Sequence, residues 1–590
     1  MFDLLHIGGG SAGSIIAGRL SDNLNDATIL LIEAGGHGYD IFNIPFLGPL
    51  KQMSSIDWQY TTIPQKNSCF ALENNVSKWP SGKILGGSTH LNYMIHLEGD
   101  VNDYKSWKDP HSNDWDENDI NYYFTKSKKC FSNRQCKFKI DKGSVNVRNS
   151  IHSTKLSDAI LDAAKELGYS LNDLNSKTST GFMKPFLNIN EMGMRWTSDQ
   201  YLKGVMTKRK NVKILTHAIV EKILLLNNYE AYGVSVRTIC GQSLTIHANL
   251  EIIVSAGTIG SPKLLMLSGI GPKNSLHESN ISSKVDLPVG KNLKDHLTTG
   301  LDLVILDKHL FSYVDLMLPS SAYEFFARGK GPFTSGLVDV VGVVRSSLMG
   351  KFDGKNTSPD LEFMVMMAGV SSDQGVFMRK SMGISQKVWE NYFKFFTNES
   401  VVSILPVLLH PKSVGEMNLN PNDPNGMPLI DPKYLSHEND VFTLVEGIRT
   451  IRKITKTKSL ADFGVRFNDK KFPGCENWKF DSDEYWRCYV KHLTLTVYHP
   501  VGTCKMSEMG IDGVVDYNLR VHKTNKLRVI DASIMPTLPS SNPNAVVIMI
   551  AEKGSDMIIE NHNNRFSSCS IRDMFITPKV CQIRRMSTTI

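Results

Sequence analysis

Three glycines and one acid near the start have the types and spacing to hold a dinucleotide. Gly8, Gly10 and Gly13 form G-x-G-x-x-G, and Glu33 stands 20 residues after the last of them. Glycines at these places permit a tight turn and let a pyrophosphate approach the backbone. The helix that follows offers free N–H groups to the anion, and the acid accepts hydrogen bonds from a ribose hydroxyl. Alone, such a glycine string is a common chance turn. A second stretch runs from Trp79 to Ile95. It sets Gly86, Gly87, Ser88, Thr89 and Asn92 within a few residues. That composition suits a surface where backbone touches a ligand closely, and equally a Gly-Ser turn with no ligand.

The elements around the glycines decide between site and chance. Leu4 to Ile7 reads as the end of a buried strand, and Ile15, Ile16, Ala17 and Leu20 give an apolar helix pattern. Ile29-Leu30-Leu31-Ile32 reads as a second strand ending at Glu33. Strand, turn, helix, strand and acid are in register, which marks a dinucleotide site. The ending Glu33-Ala34-Gly35-Gly36 resembles the FAD version of this motif more than the NAD version. After Gly36 the pattern is irregular, with Pro45, Gly48, Pro49 and Pro64, as expected of a covering loop.

Further along, Ser153–Leu167 reads as a helix, and Val212–Leu215 and Ala218–Leu226 as strands. Ala231–Arg237 reads as the hairpin partner of the latter. Glu251–Ser255 is another buried strand running into Gly257. Pro262 fits a first helical turn there, and Ser268-Gly269 stops the helix. Between 300 and 490 the texture changes. Alternation at Leu361–Val365 and Glu416–Asn420 predicts antiparallel strands, with helices such as Val441–Lys453 between them. Arg528–Ser533 reads as a strand into a turn, and Ala545–Ile559 as a helix.

Composition excludes several classes. The 590 residues are 41% hydrophobic and 21% charged, an ordinary balance with room for more than one core. Of the net charge of +7, Arg565, Arg572, Lys579, Arg584 and Arg585, set against Asp573, place +4 in the tail. The body is near neutral, so nothing argues for nucleic acid. No apolar run approaches the roughly 20 residues of a membrane span. No positive n-region, apolar h-region and cleavage site precede the first strand. The expectation is a cytoplasmic protein for the sequence as given, or a secreted one if its start is truncated. Nine cysteines include no C-x-x-C pair, so no metal site is expected. Cys130 with Cys136, or Cys475 with Cys488, could bridge in an oxidising compartment; free thiols are the other reading.

Taken together, the blocks resemble one family, the glucose–methanol–choline (GMC) flavoprotein oxidoreductases. The resemblance spans about residues 2 to 560. It is carried by Gly8–Gly13 with Glu33, by Lys83–Asn92, by Gly257–Gly271, and by His499-Pro500-Val501-Gly502-Thr503 with Asn542-Pro543-Asn544. Pro473-Gly474-Cys475 and Ser482–Trp486 look most like the insect glucose dehydrogenase branch. The resemblance implies α/β plus α+β architecture. A Rossmann-like FAD-binding domain would be assembled from 1–112, 206–300 and 492–560, with a lid at about 38–66. An antiparallel-sheet substrate domain would comprise 113–205 and 301–491, leaving 561–590 as a basic, poorly ordered tail.

The implied chemistry is oxidation of a CH–OH group in an alcohol or sugar, by hydride transfer to flavin N5. A histidine suits the base, its ordinary pKa lying near working pH. The family position matches His499; a buried, hydrogen-bonded histidine before a proline would read the same. Asn542 matches the partner position and, unable to titrate, would orient the alcohol oxygen. His90, His96 and His296 lack the motif position. Gly8, Gly10, Ser11, Ala12 and Gly13 would meet the pyrophosphate, and Glu33 the ribose. Ile84, Gly87, Ser88, Asn92, Tyr93, Met94 and Ile95 would line the flavin. Val220 would contact the adenine side, with Ala256, Tyr498, Asp531, Ala532 and Pro543 as further cofactor contacts. Some members tether FAD through a histidine just before the asparagine. Leu91 stands there, so noncovalent FAD is expected. Ser81 and Val414 replace arginines usual in the family, and each change removes a fixed charge. Oxygen or a quinone would accept the electrons. Two other readings stay open: a hydroxynitrile-type lyase on the same scaffold, and a non-catalytic flavoprotein.

Overall fold

The computed structural model describes residues 1–130, 143–176, 179–307, 318–348, 358–508 and 512–567. Two sheets organise them. The first is built around Phe2–Ile7, whose Leu4, Leu5 and Ile7 are buried, as is all of Ile29–Ile32. Strands apolar on both faces need cover on both sides, which parallel strands receive from crossover helices. Phe2–Ile7 lies parallel between Ile29–Ile32 and the second half of Ser243–Val254. Val212–Leu215 and Leu527–Val529 extend this parallel sheet at its two sides. The first half of Ser243–Val254 turns to antiparallel pairing with Ala231–Thr238, which pairs with Ala218–Leu225 as the expected hairpin. Seven strands result, drawn from three distant parts of the chain. A polar stitch crosses them. The ring of His6, buried in the first strand, lies 3.0 Å from the hydroxyl of Ser255, which donates to the carbonyl of Ile530 at 2.8 Å.

The helix Ser11–Asn23 leaves the glycine turn and packs against Ser198–Met206 and Pro543–Ser567. Gly18 makes one of these contacts, because a Cβ there would stand 2.6 Å from the Tyr201 ring. The division drawn from the resemblance assigns 113–205 to the second body. Within that stretch Glu117–Ser127 packs on Pro543–Ser567, and Ser198–Met206 on Ser11–Asn23. Pro543–Ser567 also enters the segment read as a basic tail, of which 568–590 lies outside the described residues.

One expectation is corrected. The helix Gly257–Leu267 begins at Gly257, so Pro262 falls inside it and not in its first turn. Proline has no N–H for the carbonyl of Thr258, four residues back. The hydroxyl of Thr503 donates to that carbonyl at 2.6 Å, which removes the usual cost of an interior proline.

The second sheet has eight strands in antiparallel array, with Leu361–Met366 between Val338–Val344 and Ser400–Leu408. Gly181–Met183, Val304–Leu306 and Arg466–Phe467 extend it, and Leu297–Thr298 and Leu495–Thr496 pair along one end. Side chains alternate across it. Leu361, Phe363 and Val365 pack with Leu156, Ile160 and Ile451 from the helices Lys155–Glu166 and Glu438–Ile454. Met364 and Met366 face the other way. Of the two cysteine pairs open to bridging, Cys475 and Cys488 are joined, with Cα atoms 5.8 Å apart; Cys136 lies outside the described residues. Among the described residues, no helix is long and apolar enough to cross a membrane.

Glu362 shares the face of Met364 and Met366. It is fully buried, and neither carboxylate oxygen has a hydrogen-bond partner. Burial holds its carboxyl up at about 8. The folded protein therefore keeps a proton that the unfolded chain gives up above pH 4.5. The sign follows: this contribution is intact below that pH and is lost as pH rises through the folded value. Glu362→Gln keeps the shape without the ionisation. It is expected to match the parent near pH 4.5 and to exceed it by about 1–3 kcal/mol at pH 9, the scale of an uncompensated buried polar group. Urea unfolding at the two pH values measures this; a difference that stays constant with pH would contradict it.

Candidate active site

The two sheets face a common cavity of about 440 Å³. Its first end is built by the glycine turn. Gly8 has φ +93°, and a Cβ on it would sit 2.5 Å from the carbonyl oxygen of Ser255. Gly10 caps Ser11–Asn23 without any side-chain hydrogen bond, so the first helical N–H groups stay open to the cavity. Gly87 crosses directly in front: a Cβ there would lie 2.7 Å from the Cα of Gly10. Bare backbone on two sides of an uncapped helix N-terminus is a cradle for an anion. Glu33 completes this end. Its Oε2 accepts from the N–H of Gly9 at 2.7 Å and its Oε1 from that of Gly35 at 2.8 Å. Desolvation raises the Glu33 carboxyl, and these backbone N–H groups oppose the shift.

The second end is built around His499. Its backbone N–H donates to Asp295 Oδ1 at 2.9 Å. Its ring Nδ1 lies 2.9 Å from Nδ1 of His296, and its Nε2 lies 3.2 Å from Nδ2 of Asn542. Tyr498, just before it, takes φ +66°, an uncommon conformation for a side-chain-bearing residue, held by a 2.7 Å bond from its N–H to the Thr496 hydroxyl. Burial pushes the His499 imidazole down to about 3, so the ring is neutral at ordinary pH. Asn542 Oδ1 is buried without a partner and is free to accept a hydrogen bond. The wall opposite is apolar: Val338, Met364, Met366 and Leu405 from the second sheet, with Leu301 and Leu495.

Most of the residues singled out in the sequence meet in this cavity. Gly8, Gly10, Ser11, Ala12, Glu33, Gly87, Ser88, Asn92, Tyr93, Met94, Ile95, Val220, Ala256, Tyr498, His499, Asp531, Ala532, Asn542 and Pro543 all line it. Gly13 and Ile84 lie behind the lining. Gly13 is where the helix meets the turn, since a Cβ there would be 1.8 Å from the Gly8 carbonyl oxygen. Ile84 is buried in a bridge to Gly36. The Asp531 carboxylate is occupied by the protein: it accepts from the Gly257 N–H, the Ser261 hydroxyl, and the N–H and hydroxyl of Ser533. Any ligand contact there falls to backbone. Leu91 and His90 do not line this cavity. His90 faces a smaller one of about 290 Å³, with Nε2 3.2 Å from Asp199.

Three neighbours of the site are not marked by the sequence pattern. Asp295 and His296 hold the backbone and the ring of His499, yet His296 was set aside for lacking the motif position. Arg195, fully buried, donates to the carbonyls of Pro45 and Thr89 and to Asn92 Oδ1, tying the covering loop to the ligand-facing stretch. Among the described residues, Cys475, Cys488 and His492 form the group of ligand-type side chains close enough for a metal, and the two sulfurs are bonded to each other.

The cavity thus joins a glycine turn and an acid at one end to a paired histidine and asparagine at the other, and the family match makes the chain an oxidoreductase. The chain belongs to the GMC oxidoreductase family, whose models match residues 2–298 and 411–551. It is 34% identical over 569 residues to a glucose dehydrogenase (FAD, quinone) of Drosophila melanogaster, covering 94% of this chain and 86% of that one. It is 30% identical to an alcohol dehydrogenase (acceptor) of Pseudomonas putida, covering 95% and 96% of the two chains. Among solved structures, a formate oxidase of Aspergillus oryzae superposes with a TM-score of 0.81 at 26% identity, over 95% of this chain and 99% of that one.

Proposed function

We propose that the chain binds FAD noncovalently and oxidises the CH–OH group of an alcohol or sugar, with His499 as the base. One observation carries the reading: His499 and Asn542 meet in the same cavity as the open helix N-terminus and Glu33. The parallel sheet would serve as a Rossmann-like FAD-binding unit made from 1–112, 206–300 and 492–560, and the antiparallel sheet as the substrate side. The residues fit the cofactor: Gly10 and Gly87 leave room for a pyrophosphate, and Glu33 has lone pairs left for a ribose. FAD, when bound, supplies the acceptor for the hydride leaving the carbinol carbon.

The protein's own groups do the rest. His499 is neutral and takes the hydroxyl proton at a ring nitrogen. Asn542 orients the alcohol oxygen and carries no proton of its own. The wall of Val338, Met364, Met366 and Leu405 excludes water and favours an alcohol with an apolar body, because a polyol would leave hydroxyls unpaired there. An anaerobic screen of alcohols, sugars and sterols for flavin bleaching, followed by reoxidation with oxygen or a quinone, tests the function. Acid precipitation of the same sample should release the yellow cofactor. Bleaching by no CH–OH compound would overturn the oxidation, and cyanohydrin cleavage would then be assayed.

Glu33 provides a graded test of the ribose contact. Glu33→Ala removes every acceptor and also orphans the N–H groups of Gly9 and Gly35. FAD affinity should fall by roughly 1.5–3 kcal/mol, the scale of a bond to a charged group. Glu33→Gln keeps one acceptor and should fall between. Fluorescence titration of apoprotein with FAD reads the three constants; equal values would remove Glu33 from the ribose site.

A further inference from the structure

We propose that His296 is a positioning residue that locks the tautomer of His499, leaving the lone pair on Nε2. The proposal rests on the assignment of His499 as base. It starts from Leu409. The carbonyl oxygen of Leu409 can only accept, and it lies 3.0 Å from Nε2 of His296. That nitrogen therefore carries hydrogen. His296 is completely buried, and desolvation, together with the neighbouring His499 and His410, holds its pKa well below the ordinary value. A neutral imidazole has one N–H, so Nδ1 of His296 is bare and can only accept.

The carbonyls of Leu409 and Pro539 both act on the His296 ring, and Leu409 has hydrogen-bond geometry at Nε2; the next link follows from that bond. Nδ1 of His499 stands 2.9 Å from that bare nitrogen and must donate to it. Its own single proton is then spent, and Nε2 is left with the lone pair. The Asn542 Nδ2, a donor, faces Nε2 at 3.2 Å, which is consistent from the other side. Three bonds thus run in one direction: Asn542 to His499, His499 to His296, His296 to Leu409. Asp295, next in the chain, grips the backbone N–H of His499 at 2.9 Å, so one dipeptide sets both the place of the ring and its proton. Asp295 is itself held by the Tyr434 hydroxyl, which accepts from Trp79 Nε1 at 3.1 Å.

Without the acceptor at His296, His499 is free to place its proton on Nε2, where it can no longer accept one. A histidine base in the wrong tautomer loses several powers of ten in comparable sites. The decisive measurement needs no variant of His296. Holoenzyme labelled with [15N]histidine, compared with His499→Ala to assign the signals, should show His499 with a protonated Nδ1 and a bare Nε2. The opposite tautomer, or a mixture, overturns the proposal.

Rates supply the second arm. His296→Leu should keep its FAD yet slow flavin reduction by on the order of 10²-fold. His296→Gln offers an acceptor and a donor again and should recover part of the loss. Reduction at the parent rate in His296→Leu, with His499→Ala slow, overturns the lock alone. A parent-like rate in His499→Ala overturns the base assignment instead, and the nitrogen signals still decide the tautomer.

Discussion

Replacing His499 by alanine should slow flavin reduction by substrate at least about 10²-fold while leaving FAD bound. The magnitude is the lower range for loss of a general base. Binding survives because the glycine turn and Glu33 lie at the far end of the cavity. The pH dependence has a definite sign. Burial pushes His499 to about 3, below its ordinary 6.5, so it stays unprotonated and competent as pH falls through neutrality. An acid limb from this group should appear only as pH approaches 3. The same depression acts on stability: below pH 6.5 the unfolded chain takes up protons that buried His499 and His6 refuse, so stability falls on acidification towards 3. Asn542→Ala should also slow reduction but leave the shape of the pH profile alone. Stopped-flow reduction against pH for the parent and both alanine variants measures this. A His499→Ala enzyme as fast as the parent, with the same profile, would disprove the assignment.

Gly13→Ala should abolish a folded, yellow protein. The new Cβ would stand 1.8 Å from the Gly8 carbonyl oxygen and 3.0 Å from its carbon. Both are backbone atoms of a turn that is itself pinned, because Gly8 sits against Ser255. Nothing flexible can give way, so the helix Ser11–Asn23 must leave the sheet, and the anion cradle goes with it. A loss above about 4 kcal/mol is expected, in the range reserved for gross steric or core damage. Gly204→Ala is the control. It lies in the helix Ser198–Met206, has no positive φ, and a Cβ there meets nothing within 4 Å. It should stabilise by roughly 0.4–1 kcal/mol through the unfolded chain. Thermal unfolding and flavin content read both; a Gly13→Ala protein with parent values would refute the packing.

What was legible in the sequence is what local physics decides. Unbroken apolar runs and period-two alternation pointed to the strands Phe2–Ile7, Ile29–Ile32 and Leu361–Met366, and the helix Lys155–Glu166 lies within the stretch Ser153–Leu167 read as helical. Glycines with a forced conformation showed as well, since Gly8 and Gly87 stand where the backbone takes positive φ. What stayed hidden depends on meetings across the chain. His296 touches His499 over 203 residues, and no spacing announces that. An Asp-His pair soon after Gly290 was the available signal. Pro262 was misplaced because its compensation, Thr503, comes from 245 residues away from the carbonyl it serves. The cysteines gave two pairs equal standing, and only the fold brings Cys475 to Cys488.

The polar stitch through the first sheet bears on how the chain reaches its native state. His6 meets Ser255 across 249 residues, and Ser255 meets Ile530 across another 275. On the ribosome, at about 5–20 residues per second, the strand Phe2–Ile7 waits roughly 10–50 s for its neighbour in Ser243–Val254, and as long again for Leu527–Val529 to be made. Until then Phe2–Ile7, with only Ile29–Ile32 available to pair, keeps one open edge and exposed apolar faces, the kind of surface that aggregates or recruits chaperones. The antiparallel sheet, whose central strands run from 338 to 408, can pair during that interval. The proposed base and its partner are then among the last parts to be made, because His499 and Asn542 emerge only with the segment that closes the sheet. A release or nonsense event late in translation would yield a chain with most of its residues but without the strand Leu527–Val529 and without Asn542.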